Sequence, residues 1–414
     1  MRKIRMGMVG GGQGAFIGAI HRIAAQLDNQ IELVCGAFSS NPENSIASGK
    51  SLFLDESRCY ESYQVMFAQE AALSPDQRMD MVAIVTPNHL HFPVAKMALE
   101  YGFHVMSDKP ATVDLAQALA LKTILEGTNL LYGLTHTYCG YPMVKEAKSR
   151  ILQGQLGKIK KVVVEYPQGW LANKNDESSK QASWRLDPKQ AGISCCMGDI
   201  GVHAANLAEY VSGLNITSLC ADLSANVDGR VLDDDGTVLL RFDSGAHGVL
   251  VASQISVGEE NSLKLSVYGE SASIEWSQLE PNSLLMKFAD KPSQLIRAGV
   301  GTMSELTQAN LRTPAGHPEG YLEAFANIYT QFSYQIRKLT FPDTISNESV
   351  NSEAVNDVPG INEAIRGMAF IENVVAASKS EVKWHAFQLN PNEIKSRQNI
   401  TSNPVTSAKS LKKD

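Results

Sequence analysis

No apolar run in the sequence approaches the ~20 residues that a helix needs to cross a bilayer, so a helical membrane anchor is not expected. Basic residues are outnumbered, 37 Lys and Arg against 44 Asp and Glu, and the formal net charge of -7 argues against the basic stripe that nucleic-acid recognition requires. The one basic cluster of note, Lys409, Lys412 and Lys413, stands among Ser and Thr and reads as a solvated end. Cysteine is sparse, with residues 35, 59, 139, 195, 196 and 220 forming no Cys-x-x-Cys pair and no spacing with His that resembles a zinc site. Free thiols in a reducing compartment and no metal are therefore expected, and adjacent Cys195 and Cys196 are poorly placed to bond to each other. Arg2, Lys3 and Arg5 precede a short apolar stretch that passes at once into Gly10-Gly11-Gly12, without a signal-peptide core or cleavage site, and a cytoplasmic location is expected. No internal repeat is visible.

What is present is a chain long enough for two domains. The 414 residues exceed one ordinary core, and the 43% hydrophobic and 20% charged fractions are those of a globular protein. Up to about residue 135, short β-like runs alternate with helix-length segments, the pattern of a parallel sheet wrapped by helices. Strands are expected at 4–9, 31–38, 81–85, 103–106 and 129–134, with helices at 14–27, near 42, and at 63–73, 89–101 and 113–125.

After a helix at 142–152 the rhythm changes. Strand-like runs at 158–166, 237–242, 247–255, 263–268, 273–276 and 284–288 are separated by tight turns such as Ser244-Gly245, which points to an antiparallel or mixed sheet. Helices at 319–339 and 361–378 close the ordered chain, 173–181 reads as an exposed loop, and the sequence past 391 is polar. The expected organisation is α/β, with a dinucleotide-binding domain over 1–137, an α+β substrate-binding and oligomerisation domain over 138–390 and a tail over 391–414.

Between the first strand and first helix, Gly10-Gly11-Gly12-Gln13-Gly14-Ala15 fits G-x-G-x-x-A. Gly10 permits the tight turn, Gly12 lets the backbone approach a pyrophosphate, Ala15 allows close helix packing, and helix-terminal N–H groups face the phosphates. The second strand runs into Ser39-Ser40-Asn41 with no carboxylate to hold a ribose, and no Arg or Lys follows before Lys50, so NAD and NADP both stay open. Thr86, Pro87, Asn88 and His91 follow the third strand at the carboxyl edge of the sheet, where ligands of such folds bind. His89 and His91 would point apart at the start of a helix, which disfavours a metal.

Asp108 and Lys109 follow the fourth strand at the same edge. Lys109 is either a surface lysine before a proline or a cation beside the nicotinamide ribose and a substrate hydroxyl, favouring a developing alkoxide. Asp199 and His203 are four apart and share one face if helical, which suits a histidine base with a carboxylate to orient it.

In this order and spacing the glycine turn, Thr86-Pro87-Asn88, Asp108-Lys109-Pro110, Asp199-x-x-x-His203 and Trp184-Arg185-Leu186-Asp187-Pro188 resemble the glucose–fructose oxidoreductase/inositol dehydrogenase/MocA family, over about residues 3–385. The resemblance implies an N-terminal Rossmann domain and a C-terminal α+β domain with an open, mainly antiparallel sheet whose exposed face commonly makes dimer or tetramer contacts. It maps the family's Glu-Lys-Pro lysine onto Lys109 and its Asp and His pair onto Asp199 and His203, with Asp108 replacing the glutamate. Its implied reaction is hydride transfer between NAD or NADP and a secondary alcohol of a sugar, glycoside or cyclic polyol, with Lys109, Asp199 and His203 handling the proton. Tyr138, Trp170, Trp184, Arg185 and His317 are candidates for holding the sugar, although each suits packing, pairing or a turn about as well. Two other readings fit the fold: a non-catalytic dinucleotide-binding sensor, and a glycoside-cleaving enzyme that oxidises its substrate transiently with NAD.

Overall fold

The computed structural model describes residues 2–174, 180–341 and 357–394. In chain order the first half forms β1 (Ile4–Gly10), α1 (Phe16–Leu27), β2 (Ile31–Ala37), α2 (Pro42–Ser51), α3 (Tyr63–Ala72), β3 (Met81–Val85), α4 (His91–Glu100), β4 (His104–Ser107), α5 (Leu115–Glu126) and β5 (Tyr132–Leu134). The helix starts are written locally: Asn41, Ser62 and Asp114 each accept a backbone N–H of the following helix through the side chain. β1 and β3 are buried on both faces, as central strands of a parallel sheet must be.

These five strands are all parallel, in the order β2-β1-β3-β4-β5. A lone parallel bridge between Gly36 and Cys59 extends the sheet beyond β2, a pairing too short to leave a strand signal in the sequence. The strand order reverses between β1 and β3, so the loops at their carboxyl ends open a crevice between them.

The second half forms α6 (Pro142–Leu152), β6 (Ile159–Pro167), α7 (Lys180–Arg185), α8 (Pro188–Ala191), α9 (Val202–Ser212), β7 (Ile216–Ser224), β8 (Asp235–Phe242), β9 (His247–Ser253), β10 (Lys264–Gly269), β11 (Ala272–Ser277), β12 (Ser283–Phe288), β13 (Gln294–Arg297), α10 (Glu305–Gln308), α11 (Tyr321–Thr340), α12 (Ile361–Ser378) and β14 (His385–Ala386). Among the described residues nine strands make one sheet in the order β13-β12-β11-β10-β6-β9-β8-β7-β14, antiparallel except for β6 beside β9. The expected fold class is therefore observed. β7, β13 and β14 were not anticipated: β7 carries Thr217, Ser218, Asp222 and Ser224 among its apolar residues and is defined by its neighbours β8 and β14.

Helix α11 follows the second sheet in sequence but packs in space on the first. Its Phe325, Tyr329 and Phe332 share a core with Ile4, Met6 and Met8 of β1 and with Ala24 and Ala25 of α1. It begins at Tyr321 instead of 319 because the Glu319 carboxylate is taken by the backbone N–H groups of Arg312 and Thr313 in the preceding turn. The expected loop at 173–181 falls largely outside the described residues, as does the polar tail beyond 394, including Lys409, Lys412 and Lys413. No described helix is long and apolar enough to cross a membrane.

Gly140, just before α6, meets α11 so closely that a Cβ placed on it would lie 1.9 Å from the Ala324 carbonyl oxygen. Backbone cannot move aside as a side chain can. Gly140→Ala is expected to lower stability by about 3 kcal/mol through overpacking, read as a lower urea midpoint at unchanged m-value. A wild-type midpoint would refute that close approach.

Candidate active site

The crevice begins at the glycine turn. Gly10 has φ +84°, and a Cβ there would lie 2.7 Å from the Val85 carbonyl, so the turn rests directly on the end of β3. Two roles differ from expectation. The space beside Gly12 is filled by protein, with Ser48 Oγ at 2.7 Å and the Phe38 carbonyl at 2.8 Å from where its Cβ would be. Close approach of α1 to the turn depends on Gly18, whose Cβ would meet Gly11 Cα at 2.3 Å, and not on Ala15, which is the N-cap residue.

The first turn of α1 has no side-chain cap, and open space surrounds Gly14. The Gln13 N–H is bound to Ser48 Oγ at 3.1 Å, while its side chain lies at the exposed rim. Across the crevice the buried Oγ1 of Thr86 and Oδ1 of Asn88 have no hydrogen-bond partner among the described residues. Uncapped helix N–H groups on one side and orphaned polar atoms on the other fit an anionic dinucleotide lying between them.

Asn88 spends its other amide atom on the second domain, donating to the Ala191 carbonyl of α8 at 2.9 Å. Pro87, beside it, is partly exposed. His91 departs from the expected cofactor contact. Its buried ring faces the carbonyls of Pro110 at 2.7 Å and Thr86 at 2.8 Å, so both nitrogens are engaged in joining the loops after β3 and β4. At the end of β2, Ser39 Oγ accepts the Asn41 N–H at 3.1 Å, Ser40 is exposed, and Lys50 pairs with Glu56 at 3.0 Å.

Lys109 reaches from the loop after β4 into the second domain, where its Nζ donates to both Oδ1 and the backbone carbonyl of Asp199, each at 2.7 Å. Asp199 sits in a π-helical turn, Met197–Gly201, in which the Val202 N–H reaches back to the Met197 carbonyl. Such a turn interrupts the regular α ladder, and the Asp199 carbonyl serves Lys109. Gln254 Nε2 donates to Asp199 Oδ2 at 2.9 Å, and Arg185 Nε lies 3.1 Å from the same oxygen. Burial alone would raise the Asp199 carboxyl, but the charges of Arg185 and Lys109 overturn this and hold it well below the usual carboxylate range.

The other end of the lysine is fixed by Asp108, whose Oδ1 accepts the Lys109 N–H at 2.9 Å and the Thr135 hydroxyl at 2.8 Å. Asp199 and His203 do not form the expected pair. The Asp199 carboxylate is bound by Lys109, Gln254 and Arg185, whereas His203 Nδ1 faces His136 Nδ1 at 3.4 Å. Burial, then the charge of Lys109 and the neighbouring His136, push His203 well below its ordinary value despite Asp199, so the ring is neutral.

Among the sugar-binding candidates, Tyr138 is buried with its ring edge-on to His203 at 4.8 Å, and its hydroxyl is bonded to Tyr166 and Asn261. Arg185 lies over Trp184 at 4.3 Å and beside Trp170 at 5.9 Å, so the three residues form one stack next to Asp199. Trp170 also donates to Gln168 at 2.9 Å. His317 is exposed and turns back onto the Pro314 carbonyl at 3.2 Å, and the geometry assigns it no role in this cluster.

Sequence reasoning missed Gln254, Thr135, His136 and Asp233. The Asp233 carboxylate accepts Ser194 Oγ and the N–H groups of Cys195 and Met197, fixing the start of the turn that carries Asp199. Thr135 and His136 had a signal, since they follow β5 at the same carboxyl edge as Lys109. Gln254 and Asp233 arrive through long-range sheet pairing.

Comparison with known proteins agrees with this architecture. Residues 4–136 match the oxidoreductase family with an NAD-binding Rossmann fold, and residues 144–275 match the GFO/IDH/MocA C-terminal domain. YfiI, an uncharacterized oxidoreductase of Bacillus subtilis, is 33% identical over 94% of this chain and 98% of its own length. Levoglucosan dehydrogenase of Pseudarthrobacter phenanthrenivorans is 25% identical over 73% of this chain and 80% of its own. The crystal structure of an inositol dehydrogenase homolog from Azotobacter vinelandii complexed with NAD+ superposes with a TM-score of 0.87 at 32% identity, covering 93% of this chain and 98% of that one. Its complex with NADH and myo-inositol gives a TM-score of 0.85 at 31% identity over the same shares. The chain belongs to the glucose–fructose oxidoreductase/inositol dehydrogenase/MocA family of NAD-binding oxidoreductases.

Proposed function

We propose that the enzyme oxidises a secondary alcohol of a cyclic polyol or sugar, with NAD favoured over NADP. The observation that carries this reading is the anchorage of Lys109. An ammonium has three donors, and Asp199 takes two of them from across the domain boundary. The third is left for a substrate oxygen in the crevice.

In this reading the neutral His203 removes the hydroxyl proton at Nε2, and Lys109 donates to the same oxygen as negative charge develops on it. Asp199, itself held by Gln254 and Arg185, keeps the ammonium charged and aimed. The nicotinamide, when bound, accepts the hydride from the carbinol carbon. Reduction of the ketone reverses these roles. The substrate class is supported by the myo-inositol complex of the Azotobacter homolog and by the levoglucosan dehydrogenase relative. The cofactor preference is supported by the NAD+ and NADH complexes of the Azotobacter homolog and by the pairing of Lys50, the first lysine after β2, with Glu56.

The test is a steady-state screen of inositols, sugars and glycosides with NAD and NADP, following absorbance of the reduced cofactor. Turnover of at least one cyclic polyol or sugar is expected, faster with NAD. Binding of NADH with no turnover across the screen would sink the substrate assignment, and equal rates with both cofactors would sink the preference.

A further inference from the structure

We infer that His136 is a positioning residue that fixes the tautomer of His203, accepting its Nδ1 proton and leaving the Nε2 lone pair for the substrate hydroxyl. The inference rests on the reading of His203 as the base. A neutral imidazole carries one proton, and the bond made by one ring nitrogen decides which nitrogen holds it. The two Nδ1 atoms lie 3.4 Å apart, so the contact holds one proton and leaves Nε2 of His203 outside it.

The direction of that bond follows from the surroundings. His136 is 1% exposed; accepting at Nδ1 puts the proton of its neutral ring on Nε2, which lies about 4.0 Å from where a Cβ on Gly367 of α12 would be and has no hydrogen-bond partner among the described residues. Burial holds His136 neutral, with its pKa brought down to about 3, so the ring keeps a lone pair to offer across the acidic to neutral range. The ionisable groups bearing on the two rings are Lys109 and Asp108 from the loop after β4 and Asp199 from the π-helical turn. Of these, the Lys109 ammonium disfavours a proton on a ring nitrogen turned towards the crevice. That places the His203 proton on Nδ1, towards His136. When the substrate O–H breaks, its proton goes to Nε2 of His203, and the Nδ1–H remains in the bond to His136. The ring therefore does not reorient during the step. Tyr138, edge-on to His203, blocks rotation of the same ring.

The arrangement is read directly by 15N NMR of imidazole-labelled protein, with the His203 signals assigned by their loss in His203→Asn. A protonated Nδ1 and a lone-pair Nε2 on His203 are expected in the wild type at neutral pH. His136→Leu removes the acceptor and is expected to give averaged tautomer signals and a kcat for oxidation about 30-fold lower, with KM changed less than about threefold. His136→Asn restores an acceptor near the same position, and it is expected to recover kcat to within about threefold of wild type and to restore the tautomer. A merely structural His136 would predict similar losses in both variants. A wild-type His203 protonated on Nε2, or a His136→Leu protein with wild-type tautomer and kcat, would overturn the inference. The tautomer measurement needs no substrate, so an absence of polyol turnover would count against the proposed reaction alone.

Discussion

Lys109→Ala is expected to lower kcat by about 10³-fold or more while the protein stays folded. Lys109 is the group that joins the two halves of the site: it leaves the loop after β4, is held at its backbone by Asp108, and spends two donors on Asp199. Removing it takes away the cation beside the reacting oxygen. It also leaves the Asp199 carboxylate, only 14% exposed, with Arg185 and Gln254 as its remaining partners. Some stability is lost with the ion pair, so the urea midpoint has to be followed beside the kinetics.

Two further variants separate charge from geometry. Lys109→Arg keeps the charge, but a planar fork cannot reproduce two donors to one residue and a third to the crevice, and it is expected to recover little of the rate. Asp199→Asn keeps the shape but weakens the hold on the ammonium, and a loss of about 10²-fold is expected. If Lys109→Ala turned over within tenfold of wild type on a substrate found in the screen, the lysine would be a structural tie between domains, and the alkoxide would need another partner.

The site was legible in sequence where its residues stand at the ends of strands. Gly10 ends, and Thr86, Asp108 and Lys109 follow, strands whose apolar runs are plain, and the rule that ligands bind at the carboxyl edge of a parallel sheet places them together. It was less legible where contacts are long-range. Asp199 and His203 share a helical spacing, yet the intervening π-helical turn and the sheet residues facing it give them different partners, Lys109, Gln254 and Arg185 for one and His136 for the other. Spacing along a chain restricts which side chains share a face. It does not say which of several charges will claim a carboxylate. His91 fails for a related reason: its position in sequence suits a ligand contact, but its ring is closed between two backbone carbonyls. In the fold, β7 and α11 show the same limit, since one is made a strand by its neighbours and the other returns to a sheet formed some two hundred residues earlier.

Acidification from pH 6.5 to 4 is expected to remove most of the folding free energy. His21, His104 and His136 are at most 8% exposed. Burial is the leading cause that brings His21 and His104 down to about 4 and His136 to about 3. Below the ordinary value of 6.5 the unfolded chain takes up protons that the folded protein refuses, so stability is fully present above that pH and falls as pH drops towards the folded values. Each such histidine contributes about 1.4 kcal/mol per pH unit inside its window, and three together give roughly 4 kcal/mol per pH unit, against a total stability of about 5–15 kcal/mol for an ordinary domain. His104 shows the chemistry most simply, because its Nδ1 accepts the Leu131 N–H at 3.0 Å and protonation there would set two donors against each other. Depressed carboxylates such as Asp28 and Asp357 add their losses only below about pH 4, while the Asp233 carboxyl, raised by burial, works in the opposite direction and offsets part of the histidine slope. Urea unfolding at half-unit steps from pH 7.5 to 4 would measure it. His104→Asn keeps an acceptor without a titrating ring and is expected to reduce the slope between pH 6 and 4.5 by about 1.4 kcal/mol per pH unit. A wild-type stability that stays flat from pH 7 to 4.5 would mean that these rings can be protonated inside the folded protein, which their burial forbids.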